Sequence, residues 1–201
     1  AGAEPFVRGG EVEKLLSDGL LAYSLNGEPL PAAHGGPVRL VVPGWGGVNW
    51  VKWLAAITVL DRESDSPFNQ VRYVLYDQAG VPFGKVRALQ VKSVIVAPAE
   101  GQTLQPGPVE LWGWAWSAGH GVARVEVSAD AGATWGEAEL GPEMGPFAWR
   151  RFSFGWRATP GRHTLLARAV DGRGAAQPDE AVWNLRGYLN NALHRVEVTV
   201  E

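Results

Sequence analysis

The sequence predicts a mainly β protein: an immunoglobulin-like β-sandwich over residues 76–201, preceded by an α+β region over residues 1–75. Short apolar runs separated by turn residues fill the second region, and no segment with a convincing helical period interrupts them. The 201 residues are 46% hydrophobic and include ten tryptophans, so there is ample material for a core.

The first region opens with a short helix and a tight turn. Residues 11–16 place apolar side chains at i, i+3 and i+4, the spacing of one helix face, and Gly19 offers a stop. Asn26 and Gly27 then form a pair that is typical of tight hairpin turns.

Two strands with a glycine-rich connection are expected next. Residues 38–42 and 51–59 alternate apolar side chains with others, and Arg39 and Lys52 would point away from the main apolar faces. The connection, residues 43–47, reads Pro-Gly-Trp-Gly-Gly, which has the backbone freedom to wrap a ligand closely.

Residues 61–90 become polar and contain Pro and Gly, which we interpret as the crossing between the two regions. Beyond the crossing, five short runs predict strands, at residues 91–96, 109–116, 123–129, 164–170 and 195–200. The cleanest alternation points Ala123, Val125 and Val127 inward, and Arg124, Glu126 and Ser128 outward.

Composition excludes several classes of function. The formal net charge of −3 gives no basic footprint for nucleic acid, and no run of 18 apolar residues could span a membrane. The first residues lack a basic stretch followed by an apolar core, so we expect no export signal in them. Cysteine is absent, which excludes disulfides, zinc-thiolate sites and cysteine nucleophiles within these residues.

One histidine and two cations, His34, Arg39 and Lys52, lie at short spacing in an apolar, glycine-rich stretch. Removal of such donors from water costs free energy unless an anion or a polar ligand accepts their hydrogen bonds. The cluster therefore indicates a site for a phosphate or a carboxylate. Two alternatives stay open: the cations could pair with Glu or Asp, and His34 could cap the loop.

Residues 128–135 fit the Asp-box pattern S-x-D-x-G-x-T-W, which recurs once per blade in sialidase-type propellers. A propeller needs about four blades or more, and this chain carries the pattern once. We therefore interpret it as a structural hairpin whose Asp and Ser side chains bind backbone amides.

Trp112, Trp114 and Trp116 alternate along one predicted strand and so share a face. Aromatic rows can bind carbohydrate, but burial of each indole contributes a few kcal/mol, so a core or an interface is the more common use. Packing or a dimer contact is the favoured interpretation.

Two widely separated motifs resemble the sulfite oxidase family of molybdenum enzymes. The first comprises the run Leu-Ala-Tyr-Ser-Leu-Asn-Gly-Glu-Pro-Leu-Pro at residues 21–31, the His-Gly-Gly-Pro-Val-Arg run at 34–39 and Val-Lys-Trp-Leu at 51–54. The second comprises Trp-Asn-Leu-Arg-Gly at 183–187 and Asn-Asn-Ala-Leu-His-Arg-Val at 190–196, where Leu193 replaces the usual tryptophan. The resemblance implies the C-terminal portion of an α+β molybdenum-cofactor domain, followed by an immunoglobulin-like dimerisation domain.

The resemblance also implies roles for particular residues. His34, Arg39 and Lys52 match positions that contact the molybdopterin and its phosphate, and the glycine loop would add backbone amides. No residue here is expected to bind the metal, because the family's ligating cysteine lies upstream of the matched region.

Tyr73 matches the tyrosine that lines the family's anion pocket, and Arg186 matches the arginine that binds the oxyanion substrate. Tyr76 is the alignment rival, an ordinary half-buried tyrosine is the alternative for Tyr73, and a structural salt bridge is the alternative for Arg186. His194 and Arg195 are interpreted as strand-edge structure.

The function implied by the resemblance is oxidation of sulfite to sulfate by a molybdenum enzyme, with electrons passed to a haem or cytochrome acceptor. The resemblance further implies a homodimer and favours a periplasmic or other extracytoplasmic location. The 201 residues would be an inactive fragment on their own. Alternatives are a nitrate reductase or another enzyme of S-oxyanions, a non-catalytic dimerisation or interaction module, and a carbohydrate-binding domain.

Overall fold

The computed structural model describes residues 5–201, and the chain forms two compact units. The first unit runs to Leu89 and also contains Trp183–Tyr188, whereas the second comprises Gln90–Val182 and Leu189–Glu201. The domain boundary predicted between residues 75 and 76 remains a prediction. The compact units change over later because the hairpin after residue 73 pairs within the first unit.

The first unit is built from short elements. Its helices and strands are α1 (Val12–Asp18), β1 (Leu20–Ala22), β2 (Ser24–Leu25), β3 (Glu28–Pro29), β4 (Arg39–Val41), α2 (Pro67–Gln70), β5 (Val74–Tyr76) and β6 (Pro82–Lys85). Two 3-10 turns, Ala32–His34 and Gly47–Asn49, complete it. Strand pairs β1–β4, β2–β3 and β5–β6 are antiparallel. The predicted helix and the predicted Asn26-Gly27 turn are confirmed.

Two expectations for this unit were wrong. Residues 51–59 form no strand, because Trp53 has φ +49°, a left-handed conformation that breaks an extended run. Residues 61–89 are not a bare crossing, since they contain α2, β5 and β6. The amide of Gly46 donates to Arg87 O (2.8 Å) and that of Leu89 to Gly44 O (2.9 Å), which ties the segment to the glycine loop.

The second unit is a β-sandwich. Its strands are β7 (Lys92–Ala97), β8 (Thr103–Leu104), β9 (Gly107–Trp116), β10 (Val122–Ser128), β11 (Gly136–Glu137), β12 (Glu139–Leu140), β13 (Arg150–Ala158), β14 (Gly161–Asp171) and β15 (His194–Val200). They form one sheet in the order β11-β10-β14-β15-β8 and another in the order β12-β13-β9-β7. All pairings are antiparallel except β15 with β8.

The core of the sandwich is drawn from both sheets. Leu111 and Phe152 come from the four-stranded sheet, Val125 and Leu165 from the five-stranded one, and all four are fully buried. Each such side chain contributes roughly 1.5–3 kcal/mol when it leaves water. Gly113 is required in β9, because a Cβ there would lie 2.0 Å from Val94 O on the neighbouring strand.

All five predicted strands of the sandwich are present, whereas the nine-residue β13 and the two-residue strands β8, β11 and β12 were missed. The predicted alternation along β10 was wrong at both ends. Ala123 is exposed because the register shifts between Val122 and Arg124, and Val122 is buried in its place. Ser128 is buried rather than outward, because its hydroxyl is drawn into the turn that follows.

Candidate functional site

The His34–Arg39–Lys52 cluster is organised around the 3-10 turn Ala32–His34. Three successive carbonyls of this turn accept side-chain hydrogen bonds. Trp53 Nε1 donates to Ala32 O (2.9 Å), Lys52 Nζ to Ala33 O (2.8 Å) and Arg39 Nη1 to His34 O (2.9 Å). The structure thus brings the predicted cations together at one loop.

Two glycines after the turn, Gly35 and Gly36, let the Lys52 side chain and the Leu30 carbonyl lie close to the backbone. Gly35 has φ +101°, and a Cβ on it would lie 2.7 Å from Lys52 Cβ. A Cβ on Gly36 would lie 1.9 Å from Leu30 O. The Gly-Gly pair between His34 and Arg39 is therefore a steric requirement of the cluster.

The positive charge of the cluster is not neutralised within the described chain. Across residues 5–201, neither Arg39 nor Lys52 forms an ion pair with a carboxylate, and Arg39 Nε is buried without a hydrogen-bond partner. Their heads lie instead over Trp50 (5.8 Å) and Trp53 (5.0 Å). The alternative that these cations pair with Glu or Asp is thus wrong for this part of the chain.

Other cations of the first unit behave differently. Lys85 Nζ lies 2.6 Å and Arg87 Nη2 2.9 Å from Glu63 Oε1, and Arg87 also contacts Glu11. The neighbouring Lys85 ammonium is the main cause that lowers the pKa of the Glu63 carboxyl. The same unit therefore contains both paired and unpaired cations, and Arg39 and Lys52 are among the unpaired ones.

His34 has an exposed side chain that makes no hydrogen bond within residues 5–201, so loop capping by its ring finds no support. The exposed imidazole of His34, the guanidinium of Arg39 and the ammonium of Lys52 are groups that suit an anionic ligand with polar edges. This donor set fits a pterin and its phosphate.

The glycine loop at residues 43–47 contributes less than expected. The amide of Trp45 donates to Val42 O (3.1 Å) and that of Gly46 to Arg87 O (2.8 Å). Trp45 itself is buried and forms a bridge with Ala88. At least these two amides serve the fold of the unit rather than a ligand.

Tyr73 has an unusual backbone and a well-defined ring environment. Its φ of +57° lies in the left-handed region, which non-glycine residues seldom adopt. One side of the ring faces the guanidinium of Arg8 (5.4 Å), and the Tyr188 ring lies 5.6 Å away. The Tyr73 hydroxyl makes no hydrogen bond to any described residue, whereas that of the rival Tyr76 donates to Val71 O (3.4 Å).

The Trp183–Tyr188 segment belongs to the first unit, although it is distant in sequence. Asn184 is buried and closes a loop, accepting from Tyr188 N (2.9 Å) and donating to Tyr188 O (2.8 Å). The amide of Leu185 donates to Tyr76 O (3.0 Å). This loop presents Arg186 at its exposed tip and brings Tyr188 against Tyr73.

Arg186 is exposed and forms no ion pair or hydrogen bond with the residues that the structure describes. The alternative of a structural salt bridge is therefore wrong within residues 5–201. No contact in this part of the chain joins Tyr73 or Arg186 to the His34–Arg39–Lys52 cluster. All five predicted residues lie in the first unit, and no hydrogen bond, ion pair or ring contact within residues 5–201 joins Arg186 to Tyr73.

Arg8 and Asn49 were missed by the sequence reasoning. Arg8 Nη2 and Nε donate to Asn49 Oδ1 (2.7 and 3.3 Å), and Nη1 donates to Phe68 O. Burial is the main cause that lowers the pKa of the Arg8 guanidinium. These partners lie 41 and 60 residues away in sequence, so no local pattern could have signalled them.

The Asp box has the structural role that was expected. Asp130 Oδ1 accepts from Thr134 N (2.9 Å) and Ser128 Oγ (2.7 Å), while Trp135 Nε1 donates to Gly132 O (3.0 Å). The hydrogen bonds from Thr134 lower the pKa of Asp130 to about 2. The motif forms the turn between β10 and β11.

The tryptophan row lies on the outer face of the four-stranded sheet, since Leu111, Gly113 and Ala115 occupy the inner face of β9. A core role for the row is therefore wrong. Trp114 is 38% exposed, Trp116 lies 6.2 Å from the exposed Trp149, and Trp112 stacks with Arg151. This aromatic surface is defined here as the outer tryptophan face, comprising Trp112, Trp114, Trp116 and Trp149.

His194 opens β15, where Nδ1 accepts a hydrogen bond from Ile95 N (3.0 Å). Burial is the main cause that lowers the pKa of its imidazole. The residue is structural, as expected. In the described chain, no group of three or more His, Asp or Glu side chains could hold a metal ion, and no helix is long and apolar enough to cross a bilayer.

Two family models match this chain. Residues 84–201 match the family model of the Mo-co oxidoreductase dimerisation domain, and residues 1–68 match that of the oxidoreductase molybdopterin binding domain. Human mitochondrial sulfite oxidase is 42% identical over 197 residues, which cover 90% of this chain and 36% of that protein. Nitrate reductase [NADH] 1 of Arabidopsis thaliana is 36% identical over 211 residues, covering 91% of this chain and 23% of that protein.

Among solved structures, the sulfane dehydrogenase SoxCD from Paracoccus pantotrophus superposes with a TM-score of 0.83 at 33% sequence identity. The match covers 91% of this chain and 49% of the SoxCD chain. The chain spans 36% of the length of human sulfite oxidase and 51% of that of the Arabidopsis thaliana sulfite oxidase.

Proposed function

Because the chain belongs to the sulfite oxidase family of molybdenum-cofactor oxidoreductases, we propose that it is the C-terminal part of an enzyme that oxidises sulfite to sulfate. The observation that carries this proposal is the set of motif cations, Arg39, Lys52 and Arg186, that have no carboxylate partner in residues 5–201. Motif cations that no carboxylate neutralises favour anionic ligands.

The residues proposed to hold the cofactor are His34, Arg39 and Lys52. Arg39 and Lys52 supply fixed positive charge for a phosphate, and the imidazole of His34 offers a donor or acceptor for a pterin edge. When bound, the molybdenum cofactor supplies the oxygen-atom transfer and takes up the two electrons. The role of this chain is to bind and orient the cofactor through the turn Ala32–His34.

The residues proposed to handle the substrate are Tyr73 and Arg186. The guanidinium of Arg186 would neutralise the charge of the oxyanion, and the free hydroxyl of Tyr73 would donate a hydrogen bond to it. The loop Trp183–Tyr188, which Asn184 closes, supports the assignment of Tyr73 and Arg186 to one site. It carries Arg186 and, two residues later, Tyr188, whose ring contacts that of Tyr73.

The isolated 201-residue polypeptide is proposed to be inactive, because the family's ligating thiolate cannot come from a chain without cysteine. Metal analysis of the polypeptide tests this directly. We expect no stoichiometric molybdenum and no sulfite oxidation, and bound molybdenum at one equivalent would contradict the proposal.

The second unit is proposed to form a homodimer through its sandwich, in keeping with the dimerisation-domain model that it matches. The electron acceptor is proposed to be a haem or cytochrome, and the location to be periplasmic or otherwise extracytoplasmic. The acceptor is tested by comparing the rates at which the complete enzyme reduces cytochrome c and ferricyanide. Fractionation of the source cells tests the location.

The substrate is tested with the complete, molybdenum-loaded protein. We expect sulfite to be oxidised, with one sulfate formed for each two electrons that reach the acceptor. The similarity to nitrate reductase and to sulfane dehydrogenase favours nitrate and other S-oxyanions as the second candidates. Turnover of nitrate or of a sulfane substrate, without sulfite oxidation, would overturn the sulfite proposal and retain the family.

A further inference from the structure

Arg8 is held by an anchored part of the first unit. Asn49, which accepts from Arg8 Nη2 and Nε, is only 3% exposed. The Asn49 amide is itself fixed, because its Nδ2 donates to Gly46 O and Val86 O at 3.0 Å each. The Arg8 side chain therefore has a defined position.

The anchored guanidinium faces an aromatic ring rather than a carboxylate. Arg8 Cζ lies 5.4 Å from the centroid of the Tyr73 ring, and no carboxylate among residues 5–201 forms an ion pair with Arg8. A cation over a ring face gains about 0.5–2 kcal/mol. The partly buried charge of Arg8 is thus compensated by the π face and by the oxygens of Asn49 and Phe68.

Tyr73 needs such support. Its left-handed backbone costs about 1 kcal/mol or more, and such conformations persist only where the surroundings determine them. The carbonyl of Tyr73 accepts from Val86 N (2.8 Å), and the ring contacts both Arg8 and Tyr188. Backbone and ring are fixed, while the hydroxyl makes no hydrogen bond to a described residue.

We propose that Arg8 is a positioning residue for the reaction: it holds the Tyr73 ring from one face, so that the phenol hydroxyl is presented to the oxyanion. The inference rests on the proposed role of Tyr73 and extends it to a residue outside the family motifs quoted above. The cation over the ring also draws electron density from the phenol, which strengthens the hydroxyl as a donor.

The test is a double-mutant cycle in the complete, molybdenum-loaded enzyme, with Arg8→Ala, Tyr73→Phe and the double variant. KM for sulfite is measured, together with the Kd of sulfate from calorimetry, which needs no turnover. We expect each single variant to weaken sulfate binding by about tenfold. The double variant should be no weaker than Tyr73→Phe, because Arg8 acts through the hydroxyl that this substitution removes.

Two further variants sharpen the test. Arg72→Ala is the matched control, since Arg72 stacks on Phe68 (4.9 Å) rather than on Tyr73, and its sulfate affinity should be normal. Arg8→Lys keeps the positive charge but lacks the planar guanidinium that donates two hydrogen bonds to Asn49. It should therefore recover part of the sulfate affinity that Arg8→Ala loses. If Arg8→Ala lowers the melting temperature or the molybdenum content, Arg8→Lys replaces it in the cycle, with the same non-additivity expected.

The outcomes separate this inference from the proposed function. Normal sulfate affinity in the Arg8 variants, or effects that multiply in the double variant, would overturn the inference while the role of Tyr73 stood. Normal affinity in Tyr73→Phe would overturn both the role of Tyr73 and the inference built on it.

Discussion

At the scale of single residues, the two cations of the His34–Arg39–Lys52 cluster differ from Lys85 and Arg87 in their partners. Lys85 and Arg87 of the first unit pair with Glu63, whereas Arg39 and Lys52 donate to backbone carbonyls and keep their charge. Main-chain hydrogen bonds orient a cation without neutralising it. The two side chains of the proposed cofactor site are therefore held in place by the chain itself.

We predict that Arg39→Ala and Lys52→Ala reduce cofactor retention in the complete enzyme. Each substitution removes a charge-assisted contact worth about 1.5–3 kcal/mol, and it also frees a carbonyl of the turn Ala32–His34. Molybdenum and pterin content per protein measure the loss. Arg62→Ala is the control, because Arg62 is 77% exposed and contacts only its neighbour Asp61 within the described residues. Full cofactor content in both cluster variants would contradict the assignment.

The spacing of residues in the sequence predicted the members of the His34–Arg39–Lys52 cluster but not the long-range contacts of the first unit. His34, Arg39 and Lys52 lie within 19 positions, so their common loop follows from the local chain. Arg8 could not be found in this way, because it reaches Asn49 and Phe68 across 41 and 60 positions. Trp183–Tyr188 joined the first unit for the same long-range reason.

At the scale of elements, strands were predictable where one face is buried and the other is not. The strands β7, β9, β14 and β15 carry runs of apolar residues that the alternation of a sandwich explains. β13 was missed because only Phe152 and Ala158 are buried along its nine residues. The bulge at Val122–Arg124 is a backbone irregularity that no side-chain pattern marks.

The turn between β10 and β11 carries a prediction for pH dependence. The pKa of Asp130 is lowered from 3.8 to about 2, so its ionised form stabilises the folded state. That contribution is complete above about pH 4 and is lost as the pH falls through 2. Urea titrations give the free energy of unfolding of the wild type and of Asp130→Asn. The difference between these two free energies should become smaller below pH 4. A difference that stays constant down to pH 2.5 would contradict the role of the charge.

At the scale of the whole molecule, the outer tryptophan face is an aromatic surface that the core does not use. Trp114 and Trp149 are 38% and 49% exposed on one side of the four-stranded sheet. A two-fold interface is the commonest way to cover such a surface. The predicted dimer would therefore use the side of β9 that faces away from Leu111.

We predict that the 201-residue polypeptide is a dimer at micromolar concentration and that Trp114→Glu weakens it. A buried aromatic anchor typically contributes about 2 kcal/mol or more, so the dimer Kd should rise at least about tenfold. Light scattering and sedimentation measure the change. Leu16→Glu is the matched control, since Leu16 is 82% exposed on α1. A wild-type chain that is monomeric throughout would contradict the interface.

We propose that the first unit binds the cofactor through His34, Arg39 and Lys52, and the oxyanion through Tyr73 and Arg186. The most direct measurement is kcat/KM for sulfite, with molybdenum content, for Arg186→Ala in the complete enzyme. The exposed Arg173→Ala serves as control. We expect kcat/KM to fall about tenfold or more at unchanged molybdenum content, with Tyr73→Phe changing in the same direction. Normal sulfite kinetics at normal molybdenum content would show that Arg186 is structural and that the oxyanion pocket is wrongly assigned.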